Sequence, residues 1–244
     1  MRQYKGSLKR TRLLFRSEKF ILDPPSIFRK RQLNLMSKQP LQLILGSSSA
    51  SRHAVLKKLG VPFITIAPDI DESVLLEETP EIHVTRLSVE KAQRVSQMIQ
   101  QNPQQYELDL AKPYWIIGSD QVAFLNGHPV SKPENHEDAI AQLLESSGKA
   151  ITFYTGLCLL NANNGSYQTS VDTTTTYYRP FTLAQINAYL AQEKPYQCAG
   201  SLKSEGLGIA LIEKIDSKDP NTLIGLPLID LCSLMQKVGI DLLK

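Results

Sequence analysis

The chain turns from a strand into a helix at residues 43–52, Leu-Ile-Leu-Gly-Ser-Ser-Ser-Ala-Ser-Arg. A short apolar run predicts a strand, and apolar residues at helical spacing follow the serines. Backbone N–H groups at a helix start are unpaired and the helix dipole is positive there, so this turn could bind an anion. Ser47 and Ser49 would line the turn, and Arg52 could add a bidentate phosphate contact. The serines could instead only cap the helix, and this stretch alone does not separate the two interpretations.

The rest of the chain alternates strand-like and helical patterns, which predicts an α/β fold with a mixed β-sheet flanked by helices. Asn126-Gly127 is typical of a hairpin turn. Strands are expected near residues 41–46, 63–66, 115–125, 150–160, 166–178, 207–213 and, in a short form, 222–225. Helices are expected near residues 50–59, 80–101, 135–145, 182–192 and 227–238.

Basic residues are concentrated at the start of the chain. Residues 1–35 hold ten Lys and Arg and two acidic residues, whereas the remainder holds 17 and 22. We therefore expect a basic extension over residues 1–39 and one domain over 40–244. The extension could be a disordered tail, a nucleic-acid or membrane arm, or a segment that precedes a true start at Met36. We favour the last interpretation, and we expect neither nucleic acid nor a membrane as a partner.

The composition otherwise indicates an ordinary globular protein, with 42% hydrophobic and 21% charged residues. Cys158, Cys198 and Cys232 are far apart and form no Cys-x-x-Cys pair. This pattern argues against a disulfide framework and a structural zinc site, and it favours the reducing environment of the cytoplasm.

Asp120 is the sharpest candidate for chemistry because it lies within the most apolar strand, Trp115–Leu125. A carboxylate is costly to bury without a partner, and proteins retain such groups where they bind a ligand or transfer protons. The alternative is a structural aspartate that caps a turn after Gly118.

A second group of polar residues lies in loops. Asp69, Asp71 and Glu72 follow a predicted strand, and such carboxylates suit Mg²⁺ or Mn²⁺, although the loop could equally be solvated. Lys132 and Lys203 stand beside turns, where they could bind a ligand or point into solvent. Together with the serine turn, Arg52 and Asp120, these parts fit phosphoanhydride hydrolysis, which needs cations, a metal and a base.

The sequence resembles the Maf-like nucleoside triphosphate pyrophosphatases over about residues 41–240. The resemblance is specific because many short blocks match in one order. These blocks cover residues 45–52, 67–72, 90–92, 117–122, 131–133, 153–156, 198–206, 219–222 and 225–227.

This resemblance implies a Maf/inosine-triphosphatase-like fold with two lobes and a central cleft, and a homodimer. It implies that a nucleoside triphosphate is cleaved to the monophosphate and diphosphate with a divalent cation, Mg²⁺, Mn²⁺ or Co²⁺. Asp120 matches the catalytic proton acceptor of the family. The phosphate-binding positions of the family match Ser47, Ser49, Arg52, Lys132 and Lys203. Its metal-binding positions match Glu72 and Asp120.

Within the family, the sequence is most similar to the 7-methyl-GTP pyrophosphatase branch. The positions associated with base choice fall on Ser51, Gln121 and Glu205. A carboxylate at Glu205 would favour the cationic 7-methylguanine over a neutral base. Ser51 stands where some relatives carry Trp. We therefore predict a 7-methyl-GTP pyrophosphatase that removes modified nucleotides, with a dTTP/UTP pyrophosphatase or a non-catalytic nucleotide-binding regulator of cell division as alternatives.

Overall fold

Strand β1 (Gln42–Gly46) runs through the serine turn into helix α1 (Ala50–Lys57), as the opening stretch predicts. The computed structural model describes residues 42–243. Ser49 is the N-cap of α1, because its hydroxyl accepts the N–H of Arg52 at 3.3 Å. The helix-cap interpretation of Ser49 is therefore confirmed, and it leaves open what else this helix end binds.

The remaining elements follow the predicted alternation of strands and helices. The further strands are β2 (Ile64–Ile66), β3 (Tyr114–Leu125), β4 (His128–Val130), β5 (Ala150–Asn161), β6 (Tyr167–Tyr178) and β7 (Ile212–Ser217). The further helices are α2 (Pro80–Gln101), α3 (His136–Ser146), α4 (Leu183–Glu193) and α5 (Leu228–Lys237). The predicted α/β class, a mixed sheet with flanking helices, is confirmed.

The described strands form one seven-stranded sheet in the order β2-β1-β3-β5-β6-β7, with β4 also paired to β3. Strands β2, β1 and β3 are parallel, and the others are antiparallel. One edge of β3 pairs with β1 up to Gly118 and with β4 from Ala123 onward. Residues 119–122, in the middle of β3, therefore lie in a gap between two partner strands, just beyond the carboxyl end of β1, and α/β sheets place their ligands at such strand ends.

The two faces of the sheet are packed differently. Helix α2 covers one face, where Ile44, Ile116 and Cys158 contribute to its core. The opposite face carries two separate cores, one formed with α1 and α5 and one formed with α3 and α4. Because side chains alternate along a strand, Ser119 and Gln121 fall on this second face, between its two cores. The middle of β3 is therefore the boundary between the two cores of that face.

Glycines allow α2 to lie unusually close to the sheet. A β-carbon at Gly118 would lie against the Ser88 carbonyl oxygen, and one at Gly156 would lie against the Val84 carbonyl oxygen. Gly46, which is the register partner of Gly118, meets the same helix less closely. This close approach brings the side chains on that side of α2 near the middle of β3.

Two predictions near the C-terminus are wrong. The strand expected at 207–213 begins only at Ile212, because residues 207–211 form a 3₁₀ helix. The short strand expected at 222–225 is a 3₁₀ turn, in which Thr222 and Ile224 donate their N–H groups to the carbonyl oxygens three residues earlier. Local turns use the backbone groups that a strand would have offered to a neighbour.

The basic extension predicted for residues 1–39 lies outside the described residues. Within residues 42–243, no helix combines the length and apolarity that a membrane span requires.

The close contact of α2 with the sheet predicts a graded response to adding one methyl group. Gly118→Ala should lower the free energy of unfolding by about 2–3 kcal/mol, because the helix backbone must move away from β3. Gly46→Ala, where the nearest atoms lie at 3.3 Å, should cost less than about 1 kcal/mol. Urea denaturation of the two variants gives this comparison, and equal losses would contradict the described packing.

Candidate functional site

A buried ion pair joins α2 to the middle of β3. The Lys91 ammonium donates to Oδ1 of Asp120 at 2.6 Å, and both side chains are less than a tenth exposed. The same ammonium lies 2.7 Å from Oε1 of Glu72 in the acidic loop. One cation therefore holds two carboxylates that are far apart in the sequence. The buried Asp120 predicted from the sequence is confirmed as buried, and its partner is a lysine.

Arg52 brings a second cation to these carboxylates from α1. Its Nε donates to the carbonyl oxygen of Gly225 at 2.8 Å, and its Nη1 lies 3.5 Å from the buried hydroxyl of Ser47. Burial lowers the pKa of Arg52, and the negative charges of Asp120 and Glu72 oppose that change. The helix that follows the serine turn therefore brings a guanidinium within electrostatic reach of both carboxylates.

Three cations lower the pKa of Glu72. Partial burial acts to raise its pKa, but the hydrogen bond from Lys91 and the charges of Lys91, Lys132 and Arg52 outweigh that effect. The net result is a pKa for Glu72 below its ordinary value. Lys132, although exposed, therefore belongs to the same electrostatic environment.

Within the acidic loop, Glu72 is the carboxylate that contacts Lys91, and Asp69 is exposed. Asp71 turns back on its own loop, where Oδ1 accepts the N–H of Ser73 at 2.9 Å and its hydroxyl at 2.5 Å. These two bonds lower the pKa of Asp71. Farther along the chain, Nε and Nη2 of Arg86 donate to the two carboxylate oxygens of Glu78, and this pair of bonds connects the end of the loop to α2. Glu72 is left as the member that reaches Lys91.

Two carboxylates of the site, Glu72 and Asp120, are the candidates for binding a divalent cation. Among the residues described, no group of three or more His, Cys, Asp or Glu side chains is arranged to hold a metal ion. Glu72 and Asp120 each place one oxygen on Lys91 Nζ, and the second oxygen of each carboxylate lies outside that contact. Mg²⁺ is commonly bound by one or two carboxylates, with water and substrate phosphates completing its shell. These residues therefore fit a cation that is shared with a bound phosphate.

A second loop, residues 198–207, carries two other predicted site residues. Lys203 donates to Oε2 of Glu193 at 2.7 Å, and Glu205 accepts the Ser51 hydroxyl at 2.8 Å. The latter bond joins this loop to the first turn of α1. Two of the three predicted base-choice positions, Ser51 and Glu205, are therefore in direct contact.

Gln121, the third base-choice position, is used differently. Its side-chain amide donates to the Thr155 hydroxyl and to the carbonyl oxygen of Thr222, each at 2.8 Å. Alternation along β3 places it on the face opposite Asp120. The side-chain amide of Gln121 therefore holds the 222–224 turn. It takes no part in the contact between Ser51 and Glu205.

Comparison with known proteins identifies the family. The family model described as Maf-like protein matches residues 42–238. The chain belongs to the Maf-like family.

Curated Maf-like relatives are similar over nearly their whole length. The 7-methyl-GTP pyrophosphatase of Vibrio vulnificus (strain CMCP6) is 46% identical over 202 residues, which cover 83% of this chain and 97% of the relative. The protein of the same name from Nitrosococcus oceani is 46% identical over 211 residues, covering 86% and 100%. A solved structure of the Staphylococcus aureus Ham1 protein is similar over 56% of this chain and 71% of the Ham1 chain, at 16% identity and a TM-score of 0.35.

Lys91 is the residue of this Maf-like site that sequence reasoning missed. It lies inside the matched block Glu90-Lys91-Ala92, and it occupies the buried stripe of α2 between Leu87 and Val95. A lysine at an otherwise apolar stripe position is unusual, and that signal could have identified it. Its partner could not be read from the sequence, since the pairing depends on how closely α2 packs on β3.

Removing the buried cation should destabilise the Maf-like fold. Lys91→Met should lower the free energy of unfolding by about 3 kcal/mol or more, because Asp120 is left buried beside Glu72 without the cation that contacts it directly. Adding Asp120→Asn should recover most of that loss, because the uncompensated charge is gone. Urea unfolding of the single and double variants measures the coupling.

Lys112 supplies the matched control for this cycle. It pairs with Asp109 at 2.8 Å on the surface, where both side chains are more than a third exposed. Lys112→Met should cost less than about 1 kcal/mol. A Lys91→Met loss no larger than that of Lys112→Met would show that the buried pair does not carry the stability assigned to it.

Proposed function

We propose that this Maf-like protein is a nucleoside triphosphate pyrophosphatase that converts 7-methyl-GTP to 7-methyl-GMP and diphosphate, and so removes modified nucleotides. The observation that carries the proposal is the Lys91 ammonium held between Asp120 and Glu72, beside the Arg52 guanidinium. Fixed cations next to a buried carboxylate suit the hydrolysis of a phosphoanhydride, which needs charge neutralisation and a base. The choice of substrate is supported by the Vibrio vulnificus and Nitrosococcus oceani relatives, which are named 7-methyl-GTP pyrophosphatases.

The triphosphate would bind over the N-terminus of α1 and between the cations. Ser47 and Ser49 lie at the helix end, where backbone N–H groups and the helix dipole favour an anion. Nη2 of Arg52 would be the nitrogen that meets phosphate, since Nε donates to the Gly225 carbonyl oxygen and Nη1 contacts the Ser47 hydroxyl. Lys132 and Lys203 would approach from the loops that follow β4 and the 199–201 turn. In this proposal, the cations reach one triphosphate from different elements of the fold.

Asp120 is the proposed general base. Lys91 engages Oδ1, and the second oxygen of the carboxylate is outside that bond. In the proposed step a water oxygen bonds to the α-phosphorus, the bond to the α–β bridging oxygen breaks, diphosphate leaves and the water proton passes to Asp120. A positioned base contributes about 10²–10⁴-fold, so the cations must supply the larger share of the acceleration.

Glu72 and Asp120 are the residues that would hold a divalent cation, Mg²⁺, Mn²⁺ or Co²⁺. Such a cation polarises phosphoryl oxygens and neutralises their charge. The depressed pKa of Glu72 keeps this carboxylate ionised across neutral pH. Lys91 would remain beside both carboxylates and limit their mutual repulsion.

Base choice is assigned to Glu205 and Ser51, with Gln121 acting through the 222–224 turn. The second carboxylate oxygen of Glu205 lies outside the bond from Ser51. A carboxylate there would favour a base with a positive charge, as 7-methylguanine has. The small Ser51 offers no aromatic ring for stacking, and this favours dTTP or UTP as the second candidate substrates.

Two further proposals concern assembly and location. We infer a homodimer that uses the outer half of the α2-side face of the sheet. There Val122, Phe124 and Tyr154 are half-buried, Tyr177 is exposed, and none of the four belongs to the three hydrophobic cores of residues 42–243. We also propose a cytoplasmic location, because all three cysteines are free thiols.

A substrate panel tests the proposed function. Diphosphate release should be fastest with 7-methyl-GTP and at least about ten-fold slower with GTP, because only the methylated base carries the positive charge that Glu205 attracts. The assay compares 7-methyl-GTP, GTP, dTTP and UTP with Mg²⁺, Mn²⁺ or Co²⁺, and kcat/KM is the quantity compared. Fastest turnover of dTTP or UTP would replace the substrate assignment, and no release from any nucleotide would refute the pyrophosphatase assignment.

A further inference from the structure

The carboxylate at the end of helix α4 accepts hydrogen bonds from two residues of the 198–207 loop. Glu193 is the last residue of α4. Its Oε2 accepts Lys203 Nζ at 2.7 Å, and its Oε1 accepts the backbone N–H of Leu207. One side chain therefore spans residues 203–207, the segment from which Glu205 reaches Ser51.

The loop is shaped to receive this carboxylate. A β-carbon on Gly206 would lie 2.8 Å from Cδ of Glu193 and even closer to Oε1, so glycine leaves the space that the carboxylate fills. One helical turn earlier, the Tyr189 hydroxyl donates to the carbonyl oxygen of Ser201 at 3.0 Å and accepts the N–H of Lys203 at 2.9 Å. Helix α4 thus holds the loop at several points through side chains spaced i and i+4 on one face.

We propose that Glu193 is a positioning residue that aims Lys203 at the substrate phosphates and holds Glu205 at the base position. An ammonium has three donors, and Glu193 uses one of them, so two remain for phosphate oxygens. The proposal rests on the proposed function, since it assigns Lys203 and Glu205 to a nucleotide. It adds to that function a residue that does not touch the substrate and lies in none of the sequence blocks used to identify the site.

The charge environment of Lys203 supports this role. The hydrogen bond and the negative charge of Glu193 raise the pKa of Lys203, and Glu205 and Cys198 add smaller contributions. Glu193 is itself held ionised, because the Leu207 N–H and Lys203 lower its pKa. Removing the charge of Glu193 should therefore let the pKa of Lys203 fall toward its ordinary value. The protonated form of Lys203, which binds phosphate, would then be lost at a lower pH.

Glu193→Gln is the test variant because an amide oxygen can still accept the Leu207 N–H. The expected result is a KM for 7-methyl-GTP about ten-fold higher, a kcat within about three-fold of wild type, and an unchanged melting temperature. The alkaline limb of the kcat/KM profile should move to lower pH. Gln192→Ala, on the same helix and exposed, is the matched control and should leave all four quantities unchanged.

The outcomes separate this inference from the proposed function. An unchanged KM and alkaline limb in Glu193→Gln would overturn the inference, and a lower melting temperature without a change in KM would show a purely structural role. If wild type releases no diphosphate, the proposed function fails, and calorimetric affinity for 7-methyl-GTP decides the inference instead. Weaker binding by Glu193→Gln than by Gln192→Ala would then support it, and equal binding or no binding by wild type would overturn it.

Discussion

The site depends on one buried ammonium. Lys91 contacts Asp120 and Glu72, which come from a central strand and from a loop almost fifty residues earlier in the chain. An uncompensated carboxylate at the buried position of Asp120 would be costly, so the lysine makes that position possible. The same contact anchors the acidic loop beside α1, where Arg52 completes the group of charges. The fold and the candidate chemistry therefore share a single interaction.

Close packing makes that interaction possible. Lysine reaches Asp120 only because α2 lies directly on the backbone of β3 and β5, at Gly118 and Gly156. On the opposite face, the 219–225 turn supplies carbonyl oxygens that hold Arg52, Ser119 and Gln121. The middle of β3 is thus braced from both sides, beside the gap between β1 and β4. Rigid support of this kind keeps catalytic groups in fixed geometry, which is the main requirement of phosphoryl transfer.

Much of this arrangement could be predicted from the sequence, and the exceptions have physical reasons. Alternation and helical spacing located the long strands and helices, and the cost of burying a carboxylate singled out Asp120. The partner of Asp120 could not be predicted, because the contact depends on the distance between a helix and a sheet. The apolar run at 207–211 suggested a strand, yet the Leu207 N–H bonds to Glu193, and the segment coils as a 3₁₀ helix. Gln121 matched a family position, but only the structure places its amide on the 222–224 turn.

The role of Asp120 is tested most directly by turnover of 7-methyl-GTP by Asp120→Asn, measured together with calorimetric binding of the nucleotide. We expect a fall in kcat of at least about 100-fold, because the amide cannot take the water proton. We also expect that binding persists, since Arg52, Lys91, Lys132 and Lys203 are unchanged, and that the protein still unfolds cooperatively. Turnover close to that of wild type would contradict the assignment of Asp120 as the base, and with it the central claim.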